Sequence, residues 1–577
     1  VTNPRPKRWR IAPPAPDAYV ERLGKFDVHP VLAHLLYRRG FETADDALEF
    51  LGHYGEDDNP FRLKGMVEAV YRLRMAIRHG ERIAVYGDFD CDGVTATALL
   101  TQALARLGAD VRPYIPDRVD EGYGLNSPAL KSLAEDGVRV VVTVDCGIRS
   151  VREVEDGIDY GLDMIVSDHH SVGKNIPPAL AVINPKQADC AYPEKMLAGV
   201  GLAYKIAQGL YMEAQRRGYK PEDDWHPDDW LDLVAIGTVA DIAPLVGENR
   251  TLVQRGLHRL NRPTRPGLRT LYGEAGIKPG QVSAVTIGFG IGPRINAAGR
   301  LRNAMLAYDL LTEEDLWESK RLATQLDQLN QERQQKTADM QEIAAESFPG
   351  DPADEPLLFA ADARFEQGIV GLVASRLTEQ YYRPSVVVQV GEEESHGSCR
   401  SIPEFHITEA LEQCDDLLER FGGHAAAAGF TVRNENIDAL AEALWAIAAD
   451  ELADQELVPL LEIDTELPLD EATAELAKAL LRLEPTGEAN PAPLFVTRGV
   501  RITDCVAVGA DGKHLRLTLD DGFTRLEGIA FRWGEQAAHL PERADVAYHL
   551  EINTWNGQRR LQCNVQDIKP AENGGSA

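Results

Sequence analysis

Residues 83–97 read Ile83-Ala84-Val85-Tyr86-Gly87-Asp88-Phe89-Asp90-Cys91-Asp92-Gly93-Val94-Thr95-Ala96-Thr97. A short apolar run ends in three aspartates at alternate positions, then a glycine, then the start of a helical pattern. Extended backbone sends alternate side chains to one side, so Asp88, Asp90 and Asp92 are set to converge on one point. Carboxylates that close repel one another unless a cation lies among them, and hard divalent cations take oxygen ligands. A solvated acidic turn is the ordinary alternative, and the neighbouring strands decide between the two.

Around this stretch the pattern alternates strand and helix. Strands are expected at Arg82–Tyr86, Val111–Ile115, Val138–Val144, Met164–Val166 and Leu180–Ile183, with helices over Val94–Leu107 and near 150–157. Near-continuous apolar strands separated by helices predict an α/β fold with a doubly wound parallel sheet, whose ligand sites lie beyond the carboxyl ends of strands. Polar residues collect there: Asp145 after Val138–Val144, Asp168-His169-His170 after Met164–Ser167, and Asp241 within Val239-Ala240-Asp241-Ile242-Ala243-Pro244-Leu245. Asp and His without Cys suit Mn²⁺ or Mg²⁺ better than structural zinc, and two such ions side by side need a shared carboxylate. Taken singly, a strand-end Asp is more often a helix cap. Their joint occurrence at successive strand ends favours a two-metal centre.

The chain has 577 residues, 44% hydrophobic and 26% charged, long enough for three or four domains with sizeable cores. No run approaches the ~18 apolar residues of a membrane span, and the basic start Val1–Arg10 has no apolar segment after it, so no secretory signal and no membrane partner are expected. Seven scattered cysteines without a CxxC pair predict reduced thiols and a cytoplasmic protein; Cys91 and Cys146 are expected as small buried residues. The net charge of −31 works against nucleic-acid binding overall. Acidic runs such as Glu56-Asp57-Asp58 and Glu222-Asp223-Asp224 account for part of it and leave room for local basic pockets.

Five segments are expected: an N-terminal leader (1–59), a catalytic α/β body (60–311), one long connecting helix (312–348), a second α/β body (349–450) and a C-terminal all-β region (451–577). Residues 312–348 lack Pro and Gly and carry Leu322, Leu326 and Leu329 on one helical face. Short alternating runs at Leu515–Leu519, Glu527–Phe531 and Ala547–Ile552 predict a small barrel.

The DHH triplet at 168–170, the Asp-x-Asp-x-Asp-Gly run and Asp145-Cys146-Gly147 resemble the DHH phosphoesterase superfamily. Gly422-Gly423-His424-Ala425-Ala426-Ala427-Ala428-Gly429 resembles the signature of its DHH-associated domain. The stretches Phe289–Leu301, Ile115–Arg118 with Glu121–Gly124, and Gly397–Pro403 are similar to its bacterial branch of single-strand-specific 5′→3′ DNA exonucleases. The resemblance spans roughly residues 60–570. It implies metal ligation by Asp88, Asp90, Asp92, Asp145, His169, His170 and Asp241, with Asp145 bridging, Asp88 either a ligand or the residue that orients water, and His170 touching the scissile phosphate. It also implies an OB-like barrel and a single-stranded DNA substrate.

A 5′-exonuclease needs a receptor for the strand end, and the guanidinium fork suits a terminal phosphate. Residues 281–302 hold Arg294, Arg300 and Arg302 without an acid. Arg118, Arg294, Arg300, Ser398 and Arg400 are expected to form such a pocket between the two α/β bodies, with Asn296 and His424 beside it. Each arginine has the alternative of an ordinary ion pair, and His424 of simple packing. Phe495, Trp533 and Trp555 are candidates for base stacking or for core packing. A helicase or single-strand-binding protein is a natural partner, and a monomer is expected. The competing functions are a DHH hydrolase of short RNA or cyclic dinucleotides, which has no need of the barrel, and a non-catalytic DHH scaffold, which has no need of crowded carboxylates.

Overall fold

A computed structural model describes residues 6–52, 58–118, 120–122, 124–218, 225–348, 350–555 and 558–571, with backbone only at 554, 555 and 558. Glu56-Asp57, Glu222-Asp223-Asp224, Tyr123 and the Trp555 side chain lie outside what is described. No described helix is long and apolar enough to cross a membrane.

Five parallel strands build the first body: β1 (Arg82–Gly87), β2 (Val111–Tyr114), β3 (Val138–Val144), β4 (Asp163–Ser167) and β5 (Ala181–Ile183), in the order β2-β1-β3-β4-β5. Helices cover both faces, so the strands carry Ile and Val on either side, and Ile83, Val85, Val140 and Val142 are fully buried. Helix α1 (Cys91–Arg106) follows β1 directly; α2 (Gly199–Arg216) and α3 (Leu231–Ala240) pack on it. Helix α4 (Gly292–Leu301), within the Phe289–Leu301 stretch, packs against α1 and α3.

Helix α5 (Leu316–Glu346) begins where the Asp315 carboxylate accepts the Glu318 N–H at 2.8 Å. Leu322, Ala323, Leu326 and Leu329 join the core of the first body, whereas Met340 and Ala344 join that of the second. One rigid rod therefore fixes the spacing of the two bodies. The second body holds β6 (Leu358–Asp362), helix α6 (Val370–Tyr381), β7 (Ser385–Gln389), β8 (Glu394–Arg400), β9 (Leu418–His424) and β10 (Ala427–Arg433). The strand order is β9-β10-β8-β7-β6, with β6 and β7 parallel and the others antiparallel. The Gly-rich stretch at 422–429 is thus a hairpin inside a sheet, a use that glycine's low strand propensity conceals.

The C-terminal barrel closes through β11 (Phe495–Val508), β12 (His514–Asp520), β13 (Arg525–Ala530), β14 (Arg543–Trp555) and β15 (Gln558–Pro570), in the order β11-β12-β13-β15-β14 with β14 returning to β11. Closure pairs β14 back onto β11, and among the described residues only the two-residue strand Thr465–Glu466, parallel to the start of β11, stands at an edge. The N-terminal residues do not form a separate leader. Strand Arg8–Ile11 pairs in parallel with Leu460–Ile463, and Leu23, Leu32 and Leu36 share one core with Leu476, Leu480 and Tyr548. Short amphipathic helices have to bury an apolar stripe, and these use the base of the barrel.

Candidate metal centre and phosphate cleft

Three strand ends and one helix end meet beyond the carboxyl edge of the parallel sheet. Asp88 follows β1 and is buried. The Asp90 carboxylate caps α1, accepting the N–H of Asp92 and Gly93 at 2.9 and 3.1 Å. Asp92 accepts the N–H groups of Gly199 and Val200, at the start of α2, at 2.6 and 2.8 Å, so a helix N-terminus orients it. Asp145 stands at the end of β3 with φ 64°, a left-handed conformation that Asp tolerates and that turns its carboxylate into the cluster. A Cβ on Gly199 would lie 2.6 Å from the Asp145 Cβ, so only glycine lets α2 come this close.

The ligand atoms form three overlapping groups, each within 4.8 Å: Asp88, Asp90 and Asp145; Asp145, His169 and His170; Asp92, His169 and Asp241. Asp145 and His169 each belong to two of them. His169 Nε2 stands 3.0 Å from Asp145 Oδ1 and 3.7 Å from Asp241, without hydrogen-bond alignment. Asp88 Oδ1, Asp145 Oδ1 and His169 Nε2 are buried polar atoms with no hydrogen-bond partner among the described residues. Atoms in that state are costly unless a cation takes them, and this oxygen-and-imidazole donor set fits Mn²⁺ or Mg²⁺.

The electrostatics agree. Burial, then the Asp90 carboxylate, raises Asp92 to about 7. Burial, then Asp92 and Asp90, raises Asp241 to about 9. Asp88 and Asp145 are also pushed up by burial and by their neighbours. Burial, then the His170 charge, lowers His169 to about 3, leaving it neutral as a ligand must be.

Asp168 belongs to the DHH triplet but to none of the three groups. Its Oδ1 pairs with His170 Nδ1 at 2.7 Å and its Oδ2 accepts the Ile148 N–H at 2.9 Å. Burial alone would lower His170, but the Asp168 bond holds it above its ordinary value. Asp168 therefore fixes the ring and tautomer of His170. Cys91 and Cys146 are buried, as expected.

Phe89 lies inside the Asp-x-Asp-x-Asp run, and the Arg118 guanidinium sits 3.8 Å from its ring centroid. From there a cleft of about 670 Å³ runs to the second body, lined by Arg118, Arg300, Ser398, Arg400 and the start of α6. Arg118 Nε donates to the Gly299 carbonyl at 3.2 Å, Arg300 Nη1 to the Gly368 carbonyl at 3.0 Å, and Arg400 Nη1 to Ser398 Oγ at 3.2 Å. None of these three arginines forms an ion pair among the described residues. Burial, then the charges of Arg118 and Arg333, lowers Arg300 to about 9; burial lowers Arg118 and Arg400 too. Desolvated guanidinium groups that no carboxylate pairs directly suit a phosphate.

Other expected residues stand elsewhere. Arg294 is used structurally: Nε bonds Asp327 of α5 at 2.8 Å and Nη1 bonds the Gly290 carbonyl at 2.7 Å. Asn296 Oδ1 accepts the Cys91 N–H at 2.8 Å, so it holds the metal loop rather than the cleft. His424 is exposed at the end of β9 and does not line the cleft. Phe495 is 0% exposed with its ring 6.3 Å from Tyr548; it is a core residue, not a stacking platform. Trp533 is half-buried against the same core. The barrel instead exposes Phe523, at 99%, in the turn between β12 and β13, where the sequence shows only a polar turn with one aromatic.

The two α/β bodies, with aspartates and the DHH triplet at one sheet edge, define a phosphoesterase of the DHH type: the DHH N-terminal domain model matches residues 82–238 and the DHHA1 model residues 354–450. The RecJ OB domain model matches residues 463–567. The single-stranded-DNA-specific exonuclease RecJ of Bacillus subtilis is 38% identical over 571 residues, covering 98% of this chain and 71% of the relative. Among solved structures, RecJ from Thermus thermophilus in complex with Mn²⁺ superposes with a TM-score of 0.84 at 34% identity, covering 98% of this chain and 80% of that one. The Mg²⁺ complex of the same protein gives 0.78 at 32% identity, covering 98% and 79%. The chain belongs to the family of the single-stranded-DNA-specific exonuclease RecJ.

Proposed function

We propose that this chain is a metal-dependent exonuclease of single-stranded DNA that works from the 5′ end and releases 5′-mononucleotides, in DNA recombination and repair. The observation that carries it is the continuity of two sites of opposite charge: Phe89, between Asp88 and Asp90, forms the floor under Arg118 of the arginine cleft. A strand whose terminal phosphate sits on Arg118, Arg300, Ser398 and Arg400 presents its first phosphodiester toward the carboxylate cluster.

Asp88, Asp90, Asp92, Asp145, His169, His170 and Asp241 are the residues that would hold two divalent ions, Mn²⁺ or Mg²⁺, with Asp145 shared. When bound, such ions supply the acidity that makes water a nucleophile near neutral pH and offset charge on the leaving oxygen. Asp168 steadies His170 at the edge of the cluster, where its half-exposed ring faces the scissile phosphate. Asp92 is held by the backbone N–H groups of Gly199 and Val200 at the start of α2, so this side of the cluster is positioned before substrate binds. Attack in line with the bond to O3′ frees the first nucleotide and leaves a new 5′-phosphate, which re-enters the same pocket.

Because the substrate must be unpaired, a helicase or single-strand-binding protein is the natural working partner. The barrel gives the chain its own grip on the strand, which supports a monomer, and the free thiols of the described cysteines support the cytoplasm. The test is a 5′-labelled single-stranded oligonucleotide with and without Mn²⁺, beside 3′-labelled, duplex and RNA strands. Metal-dependent release of labelled mononucleotide from the single-stranded DNA alone is expected. Binding without cleavage, or cleavage confined to short RNA, would contradict it.

A further inference from the structure

We infer that the cleft continues past the terminal phosphate into a second anion subsite, formed by His396, Thr431 and Arg420, that takes the outer phosphates of a strand bearing a 5′-di- or triphosphate. This rests on the 5′-end reading above and extends it to the chemistry of the end itself.

On β8 the residues alternate strictly. Ser395, Gly397 and Cys399 are buried beneath the sheet, and His396, Ser398 and Arg400 share the face that lines the cleft. Residues four apart on a strand are about 13 Å apart, so Arg400 and His396 mark two ends of one trough with Ser398 between them. The cross-strand register fills in the rest. Ser398 is opposite Gly429, which is opposite Gly422, and this middle row is a floor of small residues. A Cβ on Gly422 would meet nothing within 4 Å, and one on Gly429 only a carbonyl at 3.6 Å, so the space above the floor is open. Glycine there leaves room for a ligand's phosphates to lie against the backbone.

The far row is His396, Thr431 and Arg420, one from each of β8, β10 and β9. Arg420 Nε donates to Thr431 Oγ1 at 3.0 Å, and the same oxygen lies 3.3 Å from His396 Nδ1. The row is therefore assembled in advance. Arg420 forms no ion pair among the described residues, although its neighbour Glu419 pairs with Arg433. Glu394, the next residue outward on this face of β8, is opposite Arg433 rather than Arg420. In a chain of net charge −31, an arginine left without an ion pair and facing open space beside a phosphate pocket calls for more negative charge; burial and then the Arg420 charge lower His396, so its neutral ring offers hydrogen bonding rather than charge.

The direction of the strand then fixes what that charge is. Nucleotides on the 3′ side lead away from the carboxylate cluster. Whatever lies beyond the terminal phosphate must be attached to that phosphate. Hydrolysis adds water across the first phosphodiester, breaking its bond to O3′. The terminal nucleotide leaves as a nucleoside 5′-triphosphate with a free 3′-hydroxyl, and the strand keeps a 5′-monophosphate.

The experiment compares single-stranded oligonucleotides bearing a 5′-monophosphate or a 5′-triphosphate, in Mn²⁺, on the wild-type chain and on Arg420→Gln, with the first product identified by mass. The wild type is expected to release a nucleoside triphosphate from the second strand. Arg420→Gln is expected to lose about tenfold or more in kcat/KM on that strand and to keep wild-type activity on the monophosphate strand, which also reports that it folds. Equal loss on both strands, no loss on either, or a wild type that cleaves only the monophosphate strand would overturn the subsite. So would a dinucleotide as first product from the monophosphate strand, because the far row would then hold the ordinary end. A wild type that cleaves neither strand would instead remove the exonuclease reading on which the subsite depends.

Discussion

The carboxylate cluster and the arginine cleft are built on opposite plans. The cluster is negative, lies at one edge of one sheet, and takes most of its groups from residues directly after strands. The cleft is positive, draws Arg118 and Arg300 from one body and Ser398 and Arg400 from the other, and rests on glycine. Each holds like charges that burial makes unfavourable until a ligand of the opposite sign arrives. In the cluster this raises Asp92 and Asp241; in the cleft it lowers Arg300. The two regions divide the labour: one prepares the reaction, and the other sets where on the strand it happens. Phe89 is the physical join.

The sharpest way to separate the two regions is to damage one at a time. Asp145→Asn removes the carboxylate shared by two donor groups, and hydrolysis should fall by about 10³-fold or more, the scale of losing a preorganised electrostatic group. Binding of a 5′-phosphorylated strand, measured by anisotropy, should persist. Arg400→Ala should do the reverse, lowering the preference for a 5′-phosphate over a 5′-hydroxyl by about 10- to 100-fold, the worth of a charge-assisted hydrogen bond, with little change in kcat at saturation. If Arg400→Ala instead abolishes turnover on both ends, the two regions are not separable in this way.

Asp168→Asn probes the support of the cluster. Its bond to His170 Nδ1 would be weakened without removing a ligand, and about a tenfold loss in metal affinity or kcat is expected. An unchanged metal titration would mean that Asp168 only holds the Ile148 loop.

A smaller effect should appear in stability. Asp92 and Asp241 stand at about 7 and about 9, above the ordinary aspartate value of about 4. A carboxyl raised in the folded state contributes stability fully below its unfolded pKa and loses it as pH rises through the folded value. The metal-free protein should therefore lose stability from these groups between about pH 4 and pH 9. The rise in Tm on adding Mn²⁺ should be greater near pH 8.5 than near pH 5.5. A rise that shrinks with pH would contradict the assignment of these aspartates to the ion.

The two regions also differed in how far the sequence disclosed them. Asp88, Asp90, Asp92, Asp145 and the DHH triplet were legible because strand ends are marked by the switch from β-branched to polar residues. The role of Asp168 within that triplet was not, since a ligand and the residue that orients a ligand look alike in one dimension. The cleft was half legible. Arg118, Arg300, Ser398 and Arg400 line it, whereas Arg294 is drawn aside by Asp327, thirty-three positions along the chain, a pairing that only the packing of α5 on α4 creates. The glycine hairpin was hidden by glycine's low strand propensity, and the union of the N-terminal helices with the barrel depends on long-range packing that no local period reports. Phe495 shows the same limit from the other side: an aromatic opening a barrel strand points inward or outward according to register, and here it points in.

If the cleft holds the terminal phosphate, the strand end sits one nucleotide from the carboxylate cluster. The most direct test of this spacing is the length of the first product released from a 5′-phosphorylated single strand in a single turnover with Mn²⁺, read by mass spectrometry. A 5′-mononucleotide is expected, with the shortened strand carrying a 5′-phosphate. A dinucleotide or longer first product, or a nucleotide released from the 3′ end, would contradict it.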